Sequence, residues 1–120
     1  MKTALITGIS GQDGSLLAEF LLEKNYKVYG LLREKSSKEN LINIINHKNL
    51  QLIYGDLLNN DLIHFLLKYY QFDEIYNLAS QSNIRLSYEN PLNTFNVTLI
   101  GTLILLDNIL LLLIYSLIIA

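Results

Sequence analysis

The sequence has no cysteine, which excludes disulfide bridges, thiolate metal sites and a cysteine nucleophile. It also has no excess of positive charge: 9 lysines and arginines stand against 11 aspartates and glutamates, which argues against a nucleic-acid-binding surface. The only two histidines, His47 and His64, form no metal-ligand spacing with each other or with carboxylates. The 120 residues suit one domain, because a second would need at least about 50 residues with a core of its own.

Charge is almost absent from the C-terminal part of the chain. Asp107 is the only charged residue after Thr98, in the run LIGTLILLDNILLLLIYSLIIA at 99–120. A membrane span needs about 20 apolar residues, whereas 109–120 is shorter, and a longer span would place Asp107 and Asn108 near its middle. These features favour a buried helix, or one without its partner, over a membrane anchor. The N-terminus does not resemble a signal peptide, so we expect a cytoplasmic protein.

Short apolar runs alternate with segments of helical spacing along the chain. Leu17, Phe20 and Leu21 predict the buried stripe of a first helix, and Leu62, Phe65 and Leu66 that of a later one, capped by Asn59 or Asn60. The sequence LINIIN predicts another helix, and Asn90-Pro91 a further helix start. The predicted strands lie at 2–7, 27–32, 50–54 and 74–78.

Three equally spaced glycines, Gly8, Gly11 and Gly14, lie between the first strand and the first helix. In a dinucleotide site the first glycine permits a tight turn, the second lets the backbone approach a pyrophosphate, and the third lets the helix pack closely. The helix N-terminus adds unpaired N–H groups and partial positive charge. The alternative is a turn that needs glycine only for a positive φ. The equal spacing of three glycines favours the dinucleotide site.

The spacing G-x-x-G-x-x-G is similar to that of the extended short-chain dehydrogenase/reductase superfamily. The sequence TGISGQDGSLLAEFLLEKNYKVYGLLRE at 7–34 resembles, more specifically, the opening of the GDP-mannose 4,6-dehydratase family. Further blocks agree in the same order along the chain: YGDL at 54–57, DEIYNLASQS at 73–82, SYENP at 87–91 and IGTLILLDNI at 100–109. Asn25 departs from a glycine that is common in the family, and asparagine tolerates the same left-handed conformation.

Together with the alternation of strands and helices, the resemblance implies an α/β fold. We expect a Rossmann-like, doubly wound parallel sheet that is incomplete, with about four strands in the order 3-2-1-4. The fourth strand would then be an exposed edge. Residues 1–108 would form a partial NAD(P)-binding domain, and 109–120 an apolar, divergent tail.

The resemblance implies NADP as the cofactor, with NAD the less favoured choice. The pyrophosphate would be held by the glycine turn, which consists of Gly8, Ile9, Ser10, Gly11, Gln12, Asp13 and Gly14. Arg33 follows the second strand, where NAD enzymes place an acidic residue on the ribose 2′-hydroxyl, and an arginine there can instead pair with a 2′-phosphate. The alternative for Arg33, which has Glu34 beside it, is a solvated charge after a strand.

Two further sets of residues are assigned by the resemblance. Asp56 and Leu57, at the carboxyl end of the third strand, would contact the adenine, although Asp56 alone could equally be a turn residue. The segment after the fourth strand would line the nicotinamide-side ribose and the diphosphate, and it comprises Leu78, Ala79, Ser80, Gln81 and Ser82.

The catalytic elements of the family are missing. The family converts GDP-mannose into GDP-4-keto-6-deoxymannose and requires a Tyr-x-x-x-Lys pair and a Ser/Thr-x-Glu element that follows a fifth strand. None of the eight tyrosines has a lysine four residues later, and no glutamate follows residue 110. We therefore assign no catalytic or metal-binding residue, and expect a fragment that binds cofactor at most.

Other interpretations stay open. The chain could be an NADP-binding module, or a remnant of another extended short-chain dehydrogenase such as a sugar epimerase or reductase; a tail-anchored membrane protein is less favoured. The resemblance implies a nucleotide-sugar substrate and homo-oligomers only for the full-length family. A frameshifted or prematurely ended gene product would explain the change of composition after Asn108.

Overall fold

The computed structural model describes residues 1–79, 89–92 and 96–119. The chain forms two compact units. One unit comprises Met1–Asp56 and Phe72–Ala79, and it contains the β-sheet. The other comprises Leu57–Gln71 and Ser80–Ala120, and it contains helices from the second half of the chain.

The sheet has four parallel strands: β1 (Thr3–Thr7), β2 (Lys27–Leu32), β3 (Leu50–Tyr54) and β4 (Glu74–Asn77). Their order is β3-β2-β1-β4, which confirms the predicted order. Strand β1 is central, and its residues Ala4, Leu5 and Ile6 have no exposed surface, as is typical of a parallel strand covered on both faces. Thr7 at the end of β1 pairs with Leu31 of β2 and with Asn77 of β4, so the carboxyl ends of three strands meet at one edge.

Helix α1 (Gln12–Glu23) packs against β1 and β2. Its buried face consists of Gly14, Ser15, Ala18, Leu21 and Leu22. The prediction of a buried Phe20 is wrong, because its side chain is 54% exposed. At about 3.6 residues per turn, Phe20 lies opposite the face that Ala18 and Leu22 share. The ammonium group of Lys24 lies 5.4 Å from the centroid of the Phe20 ring.

The segment after β2 does not form the helix that was predicted from LINIIN. It forms a 3₁₀ turn, Glu39–Leu41, followed by turns in which an N–H bonds the carbonyl three residues earlier. One of these bonds joins Ile44 N–H to Leu41 O at 2.9 Å. Leu41 is fully buried and Ile44 is 7% exposed, whereas Ile42 is 75% exposed. In a 3₁₀ helix residues three apart lie on the same side, so Leu41 and Ile44 share the buried side of this segment.

Two turns with left-handed residues follow helices. Asn25, after α1, has φ +65°, so the prediction that asparagine replaces glycine in this conformation is confirmed. The second is Gln71, with φ +51°, at the end of helix α2 (Asn60–Tyr70). At the start of α2, Asn59 caps the helix by accepting the N–H of Leu62 at 3.2 Å, as predicted.

The buried face of α2 differs from the predicted stripe. Ile63, Leu66 and Leu67 are buried, whereas Phe65 is 55% exposed and stacks on Tyr69 with ring centroids 5.5 Å apart. The prediction for Phe65 is therefore wrong. Apolar residues occur on several sides of this helix, so their spacing alone does not select the face that is buried.

Helix α3 (Gly101–Ile119) follows a π-helical turn at Asn96–Ile100 and packs against α2. It continues through the predicted domain boundary at residue 108. One face is buried, through Gly101, Leu105 and Asn108. The leucines more than half exposed are Leu103, Leu106, Leu110, Leu111 and Leu113, as expected for a helix without its partner. In the part of the chain that the structure describes, no helix meets the length and apolarity needed to cross a membrane.

Asn108 forms a buried polar cluster between α2 and α3. Its side-chain amide donates to Asn60 Oδ1 and to the Ile104 carbonyl, each at 2.9 Å, and its Oδ1 lies 3.1 Å from His64 Nδ1. Only 2% of Asn108 is exposed, and these bonds compensate for the burial of its amide.

A further helix start was predicted at Asn90-Pro91. Pro91 and Leu92 are helical, and residues 93–95, which precede the π-helical turn at Asn96–Ile100, lie outside the described part of the chain.

Candidate functional site: the glycine turn at the carboxyl edge of the sheet

The turn between β1 and α1 requires glycine at two positions for reasons internal to the protein. Gly8 has φ +69°, and a Cβ placed on it would lie 2.7 Å from Leu78 O and 2.8 Å from Ala79 N. A Cβ on Gly14 would collide with Gly8 O and would lie 2.9 Å from Ile9 Cα. The first glycine therefore lets the turn approach the end of β4, and the third lets α1 pack onto the turn.

Gly11 lacks such an internal reason to be glycine. The nearest atom to a Cβ placed there is Gly8 O at 3.4 Å, an ordinary contact, and its φ of −74° is accessible to any residue. Apart from its chain neighbours, no other heavy atom of the described residues lies within 4 Å of that Cβ position, which leaves room for a ligand beside the backbone. This is the arrangement expected when the second glycine serves a close approach of an external group.

The first N–H groups of α1, beside Gly11, have no hydrogen-bond acceptor among the residues that the structure describes. Gly11 is the N-cap residue, and no side chain caps the helix. The N–H groups of Gln12, Asp13 and Gly14 occupy the first turn, where an α-helix offers no intrahelical acceptor. Gln12 and Asp13 are exposed, so their N–H groups lie at the surface, at the positive end of the helix dipole, whereas Gly14 is buried.

Ile9 and Ser10, two other predicted members of the turn, complete the loop between Gly8 and Gly11. Ile9 is fully buried, and a Cβ on Gly30 of β2 would lie 2.7 Å from Ile9 Cγ2, so the side chain of Ile9 fills the space that Gly30 leaves. Ser10 is half-buried. The turn is closed by a 3.1 Å bond from Gly11 N–H to Gly8 O, and its Gly8 N–H is held by Leu31 O at 3.1 Å.

A surface cleft of about 520 Å³ lies where β2 and β3 end. It brings together two residues that the sequence predicts for the adenosine half of a cofactor, Arg33 and Asp56, both exposed. The cleft also contains Glu34, Lys35, Ser36, Tyr54 and Gly55. Lys38 Nζ lies 4.9 Å from the centroid of the Tyr54 ring, which is 43% exposed. The cleft thus offers the cations Arg33 and Lys35 to a phosphate and the ring of Tyr54 to a nucleotide base.

The remaining predicted site residues differ in accessibility. Leu57 is only 4% exposed, so its side chain offers little surface to a ligand, and its assignment stays a prediction. Leu78 is 38% exposed, and its backbone and that of Ala79 lie beside Gly8. The assignments of Ser80, Gln81 and Ser82 fall on residues outside the described part of the chain.

Two side chains at this edge were missed by the sequence analysis. The hydroxyl of Thr7 donates to Asn77 Oδ1 at 2.6 Å and accepts the N–H of Ala79 at 3.2 Å. These bonds join the ends of β1 and β4 directly behind the glycine turn, and Thr7 is fully buried. The available signal was positional: both residues are polar and end neighbouring strands.

The opposite edge of the sheet carries the described tyrosines whose pKa values are shifted. Hydrogen bonds to Glu74 raise the pKa of Tyr26 and of Tyr76, with donor–acceptor distances of 3.0 Å and 2.7 Å. A tyrosine that acts as a base needs a lowered pKa, the opposite shift. These two tyrosines therefore do not supply a general base.

The turn fits the diphosphate of a dinucleotide. Gly11 leaves open the space that a Cβ would fill, the N-terminus of α1 supplies unpaired donors, and cationic side chains line the cleft at the ends of β2 and β3. Backbone N–H groups at a helix N-terminus are common ligands of phosphate. The contacts of the three glycines thus differ: Gly8 and Gly14 are required by close contacts inside the protein, and Gly11 is not.

Comparison with known proteins agrees with this geometry. The chain is 47% identical over 116 residues to a GDP-mannose 4,6-dehydratase of Yersinia enterocolitica, covering 89% of this chain and 31% of that protein. The solved structure of Pal from Bacillus thuringiensis superposes with a TM-score of 0.82 at 31% identity, covering 90% of this chain and 35% of that one. WbmH of Bordetella bronchiseptica, solved in complex with NAD⁺, superposes with a TM-score of 0.75 at 28% identity, with coverages of 90% and 35%.

The chain spans about a third of the length of these relatives. A family profile described as GDP-mannose 4,6 dehydratase matches residues 5–115, which is most of the chain and extends past residue 108. The four-stranded parallel sheet in the order β3-β2-β1-β4 is shared with the Rossmann-fold short-chain dehydrogenase/reductase relatives. The chain therefore belongs to the GDP-mannose 4,6-dehydratase family.

Proposed function

We propose that this chain binds NADP(H) at the glycine turn and forms the cofactor-binding part of a GDP-mannose 4,6-dehydratase. The observation that carries the proposal is the contrast among the three glycines. Gly8 and Gly14 are required by contacts inside the protein, whereas Gly11 faces open space at the N-terminus of α1. A pyrophosphate that approaches the backbone at Gly11 would explain why this position is a glycine.

The choice of NADP over NAD rests on the cleft beside Arg33. Arg33 and Lys35 line the same cleft, and both residues are exposed. An arginine offers paired donors in a planar geometry that matches a phosphate. Glu34 and Asp56 bring two negative charges to the cleft, so the preference depends on which side chains reach the 2′-position.

The substrate follows from family membership and is proposed only for a protein of the family's full length. NADP, when bound, supplies reversible hydride transfer with the sugar of GDP-mannose. The residues of this chain bind and orient the cofactor, and its tyrosines and lysines contain no Tyr-x-x-x-Lys pair to remove the proton of the C4 hydroxyl. We therefore expect the 120-residue polypeptide to bind NADPH without producing GDP-4-keto-6-deoxymannose. Association with further copies of itself is expected only in the full-length context.

Titration with NADPH and NADH, followed by the fluorescence of the reduced nicotinamide, tests the proposal. We expect saturable binding, tighter for NADPH than for NADH. Arg33→Ala should weaken NADPH binding by about tenfold and leave NADH binding nearly unchanged, because only NADPH carries the 2′-phosphate. Lys48→Ala removes one exposed cation outside the cleft and controls for net charge.

Three results would contradict the proposal. Failure of the folded, unsubstituted protein to bind either nucleotide would reject the cofactor site. Equal losses of NADPH and NADH binding in Arg33→Ala would reject the role of Arg33 in choosing between them. Product formation from GDP-mannose by this polypeptide alone would show that catalytic groups other than the family's pair are present.

A further inference from the structure

The glycine turn is tied to the segment after β2 by one side chain. The amide of Asn40 donates from Nδ2 to the carbonyl oxygen of Ser10 at 3.0 Å. Asn40 lies in the 3₁₀ turn Glu39–Leu41, 30 residues further along the chain.

The bond acts on a peptide unit that is already held at its other end. The Ser10 carbonyl and the Gly11 N–H belong to the same peptide plane. The N–H donates to Gly8 O at 3.1 Å, and the carbonyl accepts from Asn40 at 3.0 Å. Both polar groups of this peptide are therefore bonded within the protein, which fixes the direction of the plane.

That direction matters because the plane immediately precedes the free donors of α1. A peptide plane that flips exchanges the positions of its carbonyl and its N–H, and a carbonyl oxygen repels an anion that an N–H would attract. Gly11 makes such a flip sterically easy, since no Cβ resists it. A side chain that holds the Ser10 carbonyl away from the donors removes this alternative.

Asn40 is itself anchored by its neighbour. Leu41 is fully buried in the core cluster that also contains Ile9, the buried residue of the glycine turn. The 3₁₀ turn is closed by a 3.0 Å bond from Leu41 N–H to Lys38 O. The two segments that the bond joins are thus each fixed to the same core, so the bond is formed between preorganised groups.

We propose that Asn40 is a positioning residue for cofactor binding: it holds the Ser10–Gly11 peptide so that the N-terminus of α1 presents donors, and no carbonyl, to the pyrophosphate. The inference rests on the proposed function, because it assigns a role within that same site. Asn40 acts through the peptide and not as a ligand of the nucleotide.

The test compares two ligands that share the adenosine end. NADPH carries a pyrophosphate, and adenosine 2′-monophosphate does not. Asn40→Ala should weaken NADPH binding by about tenfold, the order expected when one preorganising hydrogen bond is lost. It should leave the affinity for adenosine 2′-monophosphate unchanged, because that ligand does not meet the glycine turn. If Asn40→Ala weakens the binding of both ligands, the substitution has disrupted the whole segment after β2, and the proposal is overturned.

A ligand-free measurement gives a second readout. Amide hydrogen exchange at Gly11 should become faster in Asn40→Ala, because the peptide plane that carries this N–H loses its second restraint. Asn43→Ala is the matched control: Asn43 is an exposed asparagine three residues further along the same segment. It should change neither the exchange at Gly11 nor the affinity for NADPH.

The outcomes separate the two proposals. If the unsubstituted protein does not bind NADPH, the proposed function fails and the role of Asn40 in binding fails with it. If the unsubstituted protein binds NADPH and Asn40→Ala binds it equally well, only the role of Asn40 is rejected. Unchanged exchange at Gly11 in Asn40→Ala would reject it in the same way.

Discussion

The two ends of β1 and β4 present different kinds of polar group. At the amino ends, side chains bond one another: Asp73 Oδ2 accepts the N–H of Thr3 at 2.8 Å and also its hydroxyl, and Glu74 accepts the hydroxyls of Tyr26 and Tyr76. At the carboxyl ends lies the glycine turn, where the backbone N–H groups that begin α1 and the uncrowded backbone of Gly11 are found. The polar side chains at the amino ends bond to one another, whereas the first N–H groups of α1, at the carboxyl ends, have no acceptor among the described residues.

The difference shows how a parallel sheet combines stability with binding. Every strand of a parallel sheet has its amino end on one side, so the two edges can be specialised independently. The carboxyl end of β1 is not left unsupported, because Thr7 bonds Asn77 and Ala79 behind the turn. Stabilising contacts thus lie directly behind the turn that we propose as the cofactor site. Three substitutions would break or sharpen this comparison.

The largest effect is expected for Gly14→Ala. Alanine normally stabilises a helix relative to glycine, but a Cβ at Gly14 would meet the backbone of Gly8 and Ile9, which cannot move without opening the turn. We expect a loss of about 2–3 kcal/mol in the free energy of unfolding, measured by urea denaturation.

Gly11→Ala is the matched control for Gly14→Ala. Its Cβ finds open space and an accessible φ, so the free energy of unfolding should change by about 0.5 kcal/mol or less. The same substitution should weaken NADPH binding. Equal destabilisation by the two alanines would show that all three glycines serve the fold alone.

A smaller effect is expected for Thr7→Val, which keeps the shape of the side chain but removes its hydroxyl. Asn77 Oδ1 then loses a donor and the Ala79 N–H loses an acceptor at a fully buried position. We expect a loss of about 1–2 kcal/mol in the free energy of unfolding. Thr7→Ser keeps the hydroxyl and should retain most of the stability; a serine variant as unstable as the valine variant would assign the effect to packing.

The smallest effect is expected for Glu74→Gln, and it depends on pH. Hydrogen bonds from Tyr76 and then Tyr26 lower the pKa of Glu74, so its contribution is present above the carboxyl pKa of the unfolded chain and is lost as the pH falls through the folded pKa. The same bonds raise the pKa of both tyrosines, so stability is also lost as the pH rises through their folded pKa values.

Thermal unfolding at a series of pH values checks this prediction. Glu74→Gln should lower the unfolding temperature most near neutral pH, and less at acidic pH, where the wild-type carboxylate is itself protonated. The decrease is modest because water screens a group at the sheet edge. Glu23→Gln, an exposed glutamate at the end of α1, is the control. A loss that is constant across the pH range would contradict the proposed linkage.

Most of the sheet could be predicted from the sequence because its signals are local. Short apolar runs bounded by glycine and polar residues gave β1 to β4 to within one residue, and their order came with the family resemblance. The glycine spacing located the turn and the need for glycine at Gly8 and Gly14, whereas the role predicted for Gly11 stays a prediction. The left-handed Asn25 followed from the conformations that asparagine tolerates.

The errors arose where tertiary contacts decide the outcome. The exposed Phe20 and Phe65 lie on helices with apolar residues on several sides, so spacing alone did not reveal the covered face. The segment 41–46 contains enough apolar residues for a helix, but its asparagines are weak helix formers and only two of its side chains, Leu41 and Ile44, are buried. Asn40 was missed because its partner is a backbone carbonyl 30 residues away, which no local pattern reveals.

The contact between Ile9 and Gly30 has an evolutionary consequence. Ile9 occupies the volume that a side chain at position 30 would need, with its Cγ2 2.7 Å from the site of a Cβ. The volume between positions 9 and 30 therefore holds one large side chain and not two. We expect them to covary among related sequences: alanine or serine at position 30 should occur with a smaller residue at position 9, and the intermediate with both side chains large should be rare.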